Sequence, residues 1–365
     1  MQKLRRILPI ALALVMMLCV MPLGRAAFPP VAKDDIKVGF VYIGDVSDKG
    51  YTYAHHQGTL YMQNELGLSD DQIIFKTNVA EDSSCETALR ELVEQGCHII
   101  FGNSFGFMDF MEDMAEEFPD VIFSHCSGYK SNDTNFNNYF GRIYEARYLS
   151  GIAAGLRTQT GKLGYVAAYK LPEVDGGMDA FFLGARSVNP EVTMLVKYTN
   201  TWYDPTLERA TAEALLDAGC DVIAQHQDTN MPQIAAEARE VWGCGYNADM
   251  TEDAPKAHLT APIWNWGVYL KVAVQQAIDG TWTPENSFLG MSEGLVDISP
   301  LSDNCAEGTA EAIADAREQI LNGTIGVFDG PIVDNEGNMV VDDGVRLTIP
   351  EITTITWLCE GIIVD

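Results

Sequence analysis

Short apolar runs and helix-spaced stretches take turns along this chain. Residues 37–43 (KVGFVYI), 73–77, 98–102 and 121–125 have the length of buried strands, while 51–66, 83–95 and 107–117 carry apolar positions at helical spacing. Ser83 and Ser84 are candidate caps for the second of these helices, and Gly96 its stop. After a polar loop at 132–138 (NDTNFNN) come a strand at 139–143 and a helix at 145–158. From Lys162 the rhythm restarts: strands at 162–168, 193–198, 221–224, 243–247 and 258–263 alternate with helices at 175–188, 205–218 and 232–242. Asp204 is placed to cap the 205–218 helix, with Pro205 at its first position. Strands separated by helices indicate βαβ units and parallel sheets, hence an α/β fold in two similar halves. The segment 94–101 (EQGCHIIF) matches 217–224 (DAGCDVIA), which sets Ser104-Phe105 of the first half against Gln227-Asp228 of the second. A helix reaching 278 follows Trp264-Asn265-Trp266-Gly267, another covers 307–321, and a final apolar stretch runs from 352 to 364.

Composition refines this picture at the amino terminus. Lys3, Arg5 and Arg6 precede an apolar run at 7–20 and a small-residue site near Ala26, the pattern of a secretory signal too short to span a bilayer comfortably. Its removal takes four basic residues, so the formal charge of −29 becomes about −33 in the mature chain. Cys19 follows Leu18 where a lipoprotein signal would have a small residue, so secretion without a lipid anchor is expected. Such acidity disfavours nucleic acid as a partner, because phosphate recognition needs basic patches. Seven cysteines remain beyond the signal, an odd number without CxxC spacing, so they are buried small side chains or partly paired, and no zinc site is expected.

Chemistry gathers at strand ends. Residues 44–58 (GDVSDKGYTYAHHQG) form a βα junction with Tyr51 and Thr52 at the start of a helix, and in open α/β sheets ligands lie beyond the carboxyl ends of strands. Neither an HExxH pair nor a phosphate-binding P-loop occurs. His55-His56 are neighbours that point in different directions on a helix, and are read as solvated or capping side chains. Asp45, Asp48, Asp228 and Asp249 could be metal ligands, acid/base groups or turn formers; as a set they also suit a donor-rich ligand edge. Tyr51, Phe105 and Trp266 are either core or stacking surfaces for a flat heterocycle.

The ordered segments KVGFVYIGDVSDKGYTYAHHQG, FGNSFGFMD, YEARYLSGIAAG, LPEV, WYDP, AQHQDT and WNWGVY resemble the Bmp-type (basic membrane protein) substrate-binding proteins of ABC transporters, especially the branch that binds purine bases and its nucleoside-binding relatives. The resemblance implies a type I periplasmic-binding-protein fold, two doubly wound α/β lobes joined by a three-strand hinge with ligand in the cleft. Approximate lobes are 32–143 with 264–300, and 144–263 with 301–365, following a signal peptide at 1–26. It also implies cleft contacts from Asp45 or Asp48, Tyr51, Thr52, Ser104 and Phe105 on one lobe and from Asp228, Asp249, Trp264 and Trp266 on the other. Nucleoside-binding relatives carry a Lys in the WNW region that this chain lacks, which favours a free base such as adenine, guanine or hypoxanthine. The implied partners are a small purine ligand and a membrane permease, with no cofactor, for a monomeric extracytoplasmic receptor. A sensory receptor of the same fold, or a nucleoside hydrolase using the Asp residues, are the alternatives.

Overall fold

The computed structural model describes residues 28–365; the expected signal at 1–26 lies outside them. The first half supplies β1 (Val38–Val41), α1 (Tyr51–Leu66), β2 (Ile73–Lys76), α2 (Ser83–Glu94), β3 (Ile99–Gly102), α3 (Met108–Glu117), β4 (Ile122–Cys126) and β5 (Phe136–Gly141). The second supplies α4 (Ile143–Arg157), β6 (Lys162–Ala167), α5 (Pro172–Val188), β7 (Thr193–Tyr198), α6 (Pro205–Asp217), β8 (Val222–His226), α7 (Met231–Ala238), β9 (Trp242–Cys244) and β10 (His258–Thr260). After these come β11 (Pro262–Trp264), α8 (Gly267–Asp279), β12 (Ser287–Leu289), β13 (Val296–Ile298), α9 (Thr309–Leu321), β14 (Ile332–Val333), β15 (Met339–Val341), α10 (Ile349–Ile352) and β16 (Ile362–Val364).

Two six-stranded sheets result, in the orders β12-β5-β4-β3-β1-β2 and β10-β9-β8-β6-β7-β16, and every pairing within them is parallel. Helices cover both faces, which is why the four residues of β1 are all buried and read as an unbroken apolar run. The repeated segments occupy equivalent places: β3 lies beside β1 in one sheet and β8 beside β6 in the other. Both sheets are completed late in the chain, by β12 and β16.

The chain passes between the sheets three times, at Arg142, after β11 and after β12. Antiparallel pairing of β11 with β13 joins the second crossing to the third. Arg142 binds the first to the third: Nε reaches Glu145 at 2.8 Å, Nη2 reaches Glu293 at 2.7 Å, and Nη1 donates to the Phe288 carbonyl at 2.9 Å. Below the second sheet α4 and α5 meet backbone to backbone. A Cβ on Gly151 would lie 1.9 Å from the Phe181 carbonyl oxygen, and one on Gly184 would lie 2.0 Å from that of Tyr148, so glycine is what allows the approach.

Four local expectations change. Asp82, not Ser83 or Ser84, caps α2 by accepting from the Ser84 amide. β5 begins inside the expected polar loop, because its asparagines find buried partners: Asn137 donates to the Tyr269 hydroxyl and the Glu285 carbonyl, both at 2.9 Å. The single strand expected at 258–263 is two, β10 pairing with β9 and β11 turning away to β13. α5 starts at Pro172 rather than Asp175, with Pro and Glu173 in its first turn. All seven described cysteines are unpaired, six of them buried.

Candidate functional site

The carboxyl ends of the two sheets face each other across a narrow slot, with about 380 Å³ of non-atom space counted out to its open edges. One wall holds Tyr51 at the start of α1, Ser104 and Phe105 after β3, and Phe140 near the end of β5. The other holds Glu173 in the first turn of α5, Trp202 after β7, His226 and Asp228 at the end of β8, and Tyr246 after β9. Of the residues singled out from sequence, Tyr51, Ser104, Phe105 and Asp228 come together here. The equivalence of Phe105 and Asp228 in the repeat is thus met in space.

The others sit elsewhere, each for a visible reason. Asp48 accepts from the amides of Gly50, Thr52 and Tyr53 at 2.8 to 2.9 Å, so it caps α1 and holds Tyr51 at the slot without lining it. Thr52 is buried beneath that cap. Asp45 and Asp249 are exposed turn residues, accepting from Ser47 and from Thr251 respectively. Trp266 is fully buried between Trp264, stacked at 4.2 Å, and His55, stacked at 4.3 Å. The two tryptophans and His55 are therefore a core stack behind Tyr51, whose ring meets Trp266 edge-on at 6.3 Å. His55 is not a solvated side chain: burial holds its pKa down at about 3.

Phe140, Glu173, Trp202, His226 and Tyr246 line the slot without having been singled out from sequence, although Trp202, Glu173 and His226 stand in the WYDP, LPEV and AQHQDT segments that carry the resemblance. The signal available was position, immediately beyond a strand or opening a helix. Tyr246 had no such signal in its own segment.

The slot is aromatic on its faces and acidic at its edge. Asp228 is buried, and desolvation, then repulsion from Asp48 and Glu208, raises its pKa well above the ordinary carboxylate range. Burial likewise raises Glu173 to about 7, against the attraction of Arg147. His226 is held neutral by burial and by Arg147. Arg147 is itself buried with its guanidinium 3.9 Å from the centroid of Tyr246, and one Nη donates to the Gln225 carbonyl at 3.0 Å. A carboxyl held near its protonation threshold both accepts and donates, so it can pair with a ligand edge that offers N–H beside a bare ring nitrogen. Among the described residues no cluster of three or more His, Cys, Asp or Glu side chains is placed to hold a metal ion.

These carboxyls make stability depend on pH. Glu208 is buried against Thr229 and the Asp204 amide, with its pKa raised by desolvation to about 7. Folded Glu173 and Glu208 stay protonated between about 4.5 and about 7 while the unfolded chain ionises them, so their contribution is complete below 4.5 and is lost as pH rises to 7. Buried His55, His125 and His258 act in the opposite sense below 6.5, because the unfolded chain takes up the protons they refuse. The difference between wild type and a Glu208→Gln variant isolates the carboxyl. In urea unfolding at pH 5 and pH 7.5 the variant should gain relative to wild type at the higher pH; a pH-independent difference would place Glu208 at its ordinary pKa.

Residues 35–329 match the family model described as ABC transporter substrate-binding protein PnrA-like. The chain is 37% identical over 316 residues to a purine-binding protein of Brucella abortus, covering 87% of this chain and 89% of that one. It is 35% identical over 309 residues to TsgA13 of Haloferax volcanii, whose name describes an ABC transporter glucose-binding protein, covering 85% and 78%. Among solved structures, a solute-binding protein of an ABC transporter system from Aeropyrum pernix superposes with a TM-score of 0.70 at 20% identity, over 80% of this chain and 92% of that one.

Proposed function

The chain belongs to the Bmp family of PnrA-like ABC transporter substrate-binding proteins, and from that premise we propose that it captures a purine base between its lobes and delivers it to a membrane permease. Proteins of this family are extracytoplasmic partners of importers, and the signal-like amino terminus supports export of this one. The observation that carries the purine reading is the pairing of aromatic faces with a carboxyl edge: Tyr51, Phe105, Phe140 and Trp202 bound a thin slot into which Asp228 and Glu173 project. A flat heterocycle gains dispersion and stacking from such walls, and the carboxyls satisfy its ring and amino N–H groups. A hexose has no conjugated ring face to stack against this set of aromatic walls. Contacts from both lobes form together only when the cleft is shut, so ligand shifts the balance toward the closed form.

Calorimetry on protein unfolded, dialysed and refolded to remove carried ligand tests the class. Adenine, guanine or hypoxanthine should bind with micromolar or lower Kd, and glucose should not compete. Phe105→Ala and Tyr51→Ala should each weaken base binding by about 1 to 3 kcal/mol. Glucose binding without purine binding would overturn the reading.

A further inference from the structure

A second, larger cavity abuts the slot. It holds about 1290 Å³ of empty space including its open mouth, and three side chains, Phe105, Phe140 and Glu173, border both spaces. Its remaining walls come from both lobes and from the carboxyl-terminal segment, chiefly Ile143, Leu171, Phe288 and Ile352 with the bare backbone of Gly176 and Gly177. We infer that this cavity is a subsite for an apolar substituent carried by the base, so that the receptor takes a purine bearing an aryl or branched alkyl group on its exocyclic amine. The inference rests on the purine reading above and adds to it.

Three observations favour an apolar occupant over a sugar. First, several amide and hydroxyl groups in the walls are already engaged: Asn138 donates to the Ser127 carbonyl, Asn286 accepts from the Asn138 amide at 2.9 Å, and Thr353 and Thr354 donate to the Pro350 carbonyl at 3.0 and 3.1 Å, which leaves the hydroxyls of Tyr129 and Tyr144 and the Glu173 carboxyl as the polar groups of the lining. A ribose seated here would leave hydroxyls unmatched, whereas hydrocarbon would cover apolar wall now facing water. Second, the three residues that border both spaces, Phe105, Phe140 and Glu173, are all partly exposed, so rotation of their side chains can join the two spaces. Third, Glu173 stands at the junction, and among the described residues none donates a hydrogen bond to its carboxylate. An amine linking base to substituent would present its N–H there.

The test compares adenine, N6-benzyladenine and adenosine by calorimetry on ligand-free wild type and on Gly176→Leu. A Cβ on Gly176 finds its nearest neighbours at 3.7 Å, the Ile352 carbonyl and Ile355, and leucine suits a helix interior better than glycine, so the variant should fold with its side chain filling the cavity. N6-benzyladenine should bind wild type at least fivefold more tightly than adenine, and adenosine more weakly than either. Gly176→Leu should abolish the benzyl advantage and leave adenine affinity within twofold. A smaller benzyl gain, tighter binding of adenosine, or a benzyl advantage that survives Gly176→Leu each overturns the subsite while adenine binding keeps the base reading intact. Absence of binding by all three would overturn the base reading with it.

Discussion

Replacing Asp228 with alanine should weaken purine binding by roughly 3 to 5 kcal/mol, on the order of a few hundred- to a few thousand-fold in Kd. The size follows from burial. Asp228 is buried in the wall of the slot, so base N–H groups that had faced its carboxyl would be desolvated without that partner. Its loss should nevertheless spare the empty protein. Asp228 stands among Asp48, Glu208 and Glu173, which together with burial oppose its ionisation, and removing a carboxyl from such company relieves repulsion. The expected signature is therefore a split: Tm of the ligand-free variant equal to or above that of wild type, with calorimetric affinity lost. Asp228→Asn keeps one acceptor and one donor and should fall between the two. Affinity of Asp228→Ala within threefold of wild type would remove Asp228 from the recognition edge.

What the sequence made legible is whatever a single βα unit determines. Tyr51 was found because strand, polar turn and helix are contiguous, and Asp228 because the repeat placed it where Phe105 sits. The alternation of buried runs and helical spacing likewise carried the α/β class through both halves. Residues whose role depends on the order of strands in the finished sheet were less accessible. Tyr246 follows β9, and only the neighbour relation β9-β8-β6 brings it beside His226, with ring centroids 4.7 Å apart. Trp264 and Trp266 show the converse. A tryptophan pair at a strand-to-helix junction has two sides to face, and their period says nothing about which; the stack with His55 fills the core behind the site. Asp48 was placed correctly in a turn, but the same short carboxylate geometry serves a helix cap or a ligand, and three backbone amides claimed it first. Turn chemistry identifies where carboxylates gather; burial decides which of them remain for a ligand.

Gly50→Val should hold the cleft open. Gly50 belongs to the turn before α1, and a Cβ built on it would lie 2.1 Å from the carbonyl oxygen of Asp228, 2.5 Å from its carbonyl carbon and 3.0 Å from its Cα. These are backbone atoms from opposite lobes, so no side-chain rotation relieves the contact and only separation of the lobes does. Within its own lobe the Gly50 amide still donates to Asp48, so the cap on α1 persists. Each lobe should therefore fold and melt much as before, while the two halves of the slot fail to meet. Small-angle scattering should show wild type becoming more compact on adding purine and Gly50→Val keeping the same radius of gyration with or without it. Affinity should drop at least a hundredfold, because a base touching one wall forgoes either the stacking of Tyr51 and Phe105 or the carboxyl of Asp228. Gly50→Ala, with the same Cβ and fewer atoms beyond it, should give a smaller loss in the same direction. Normal ligand-induced compaction in Gly50→Val would mean that the approach of Gly50 to Asp228 is not part of the liganded state, and that the slot recognises its ligand through a different closure.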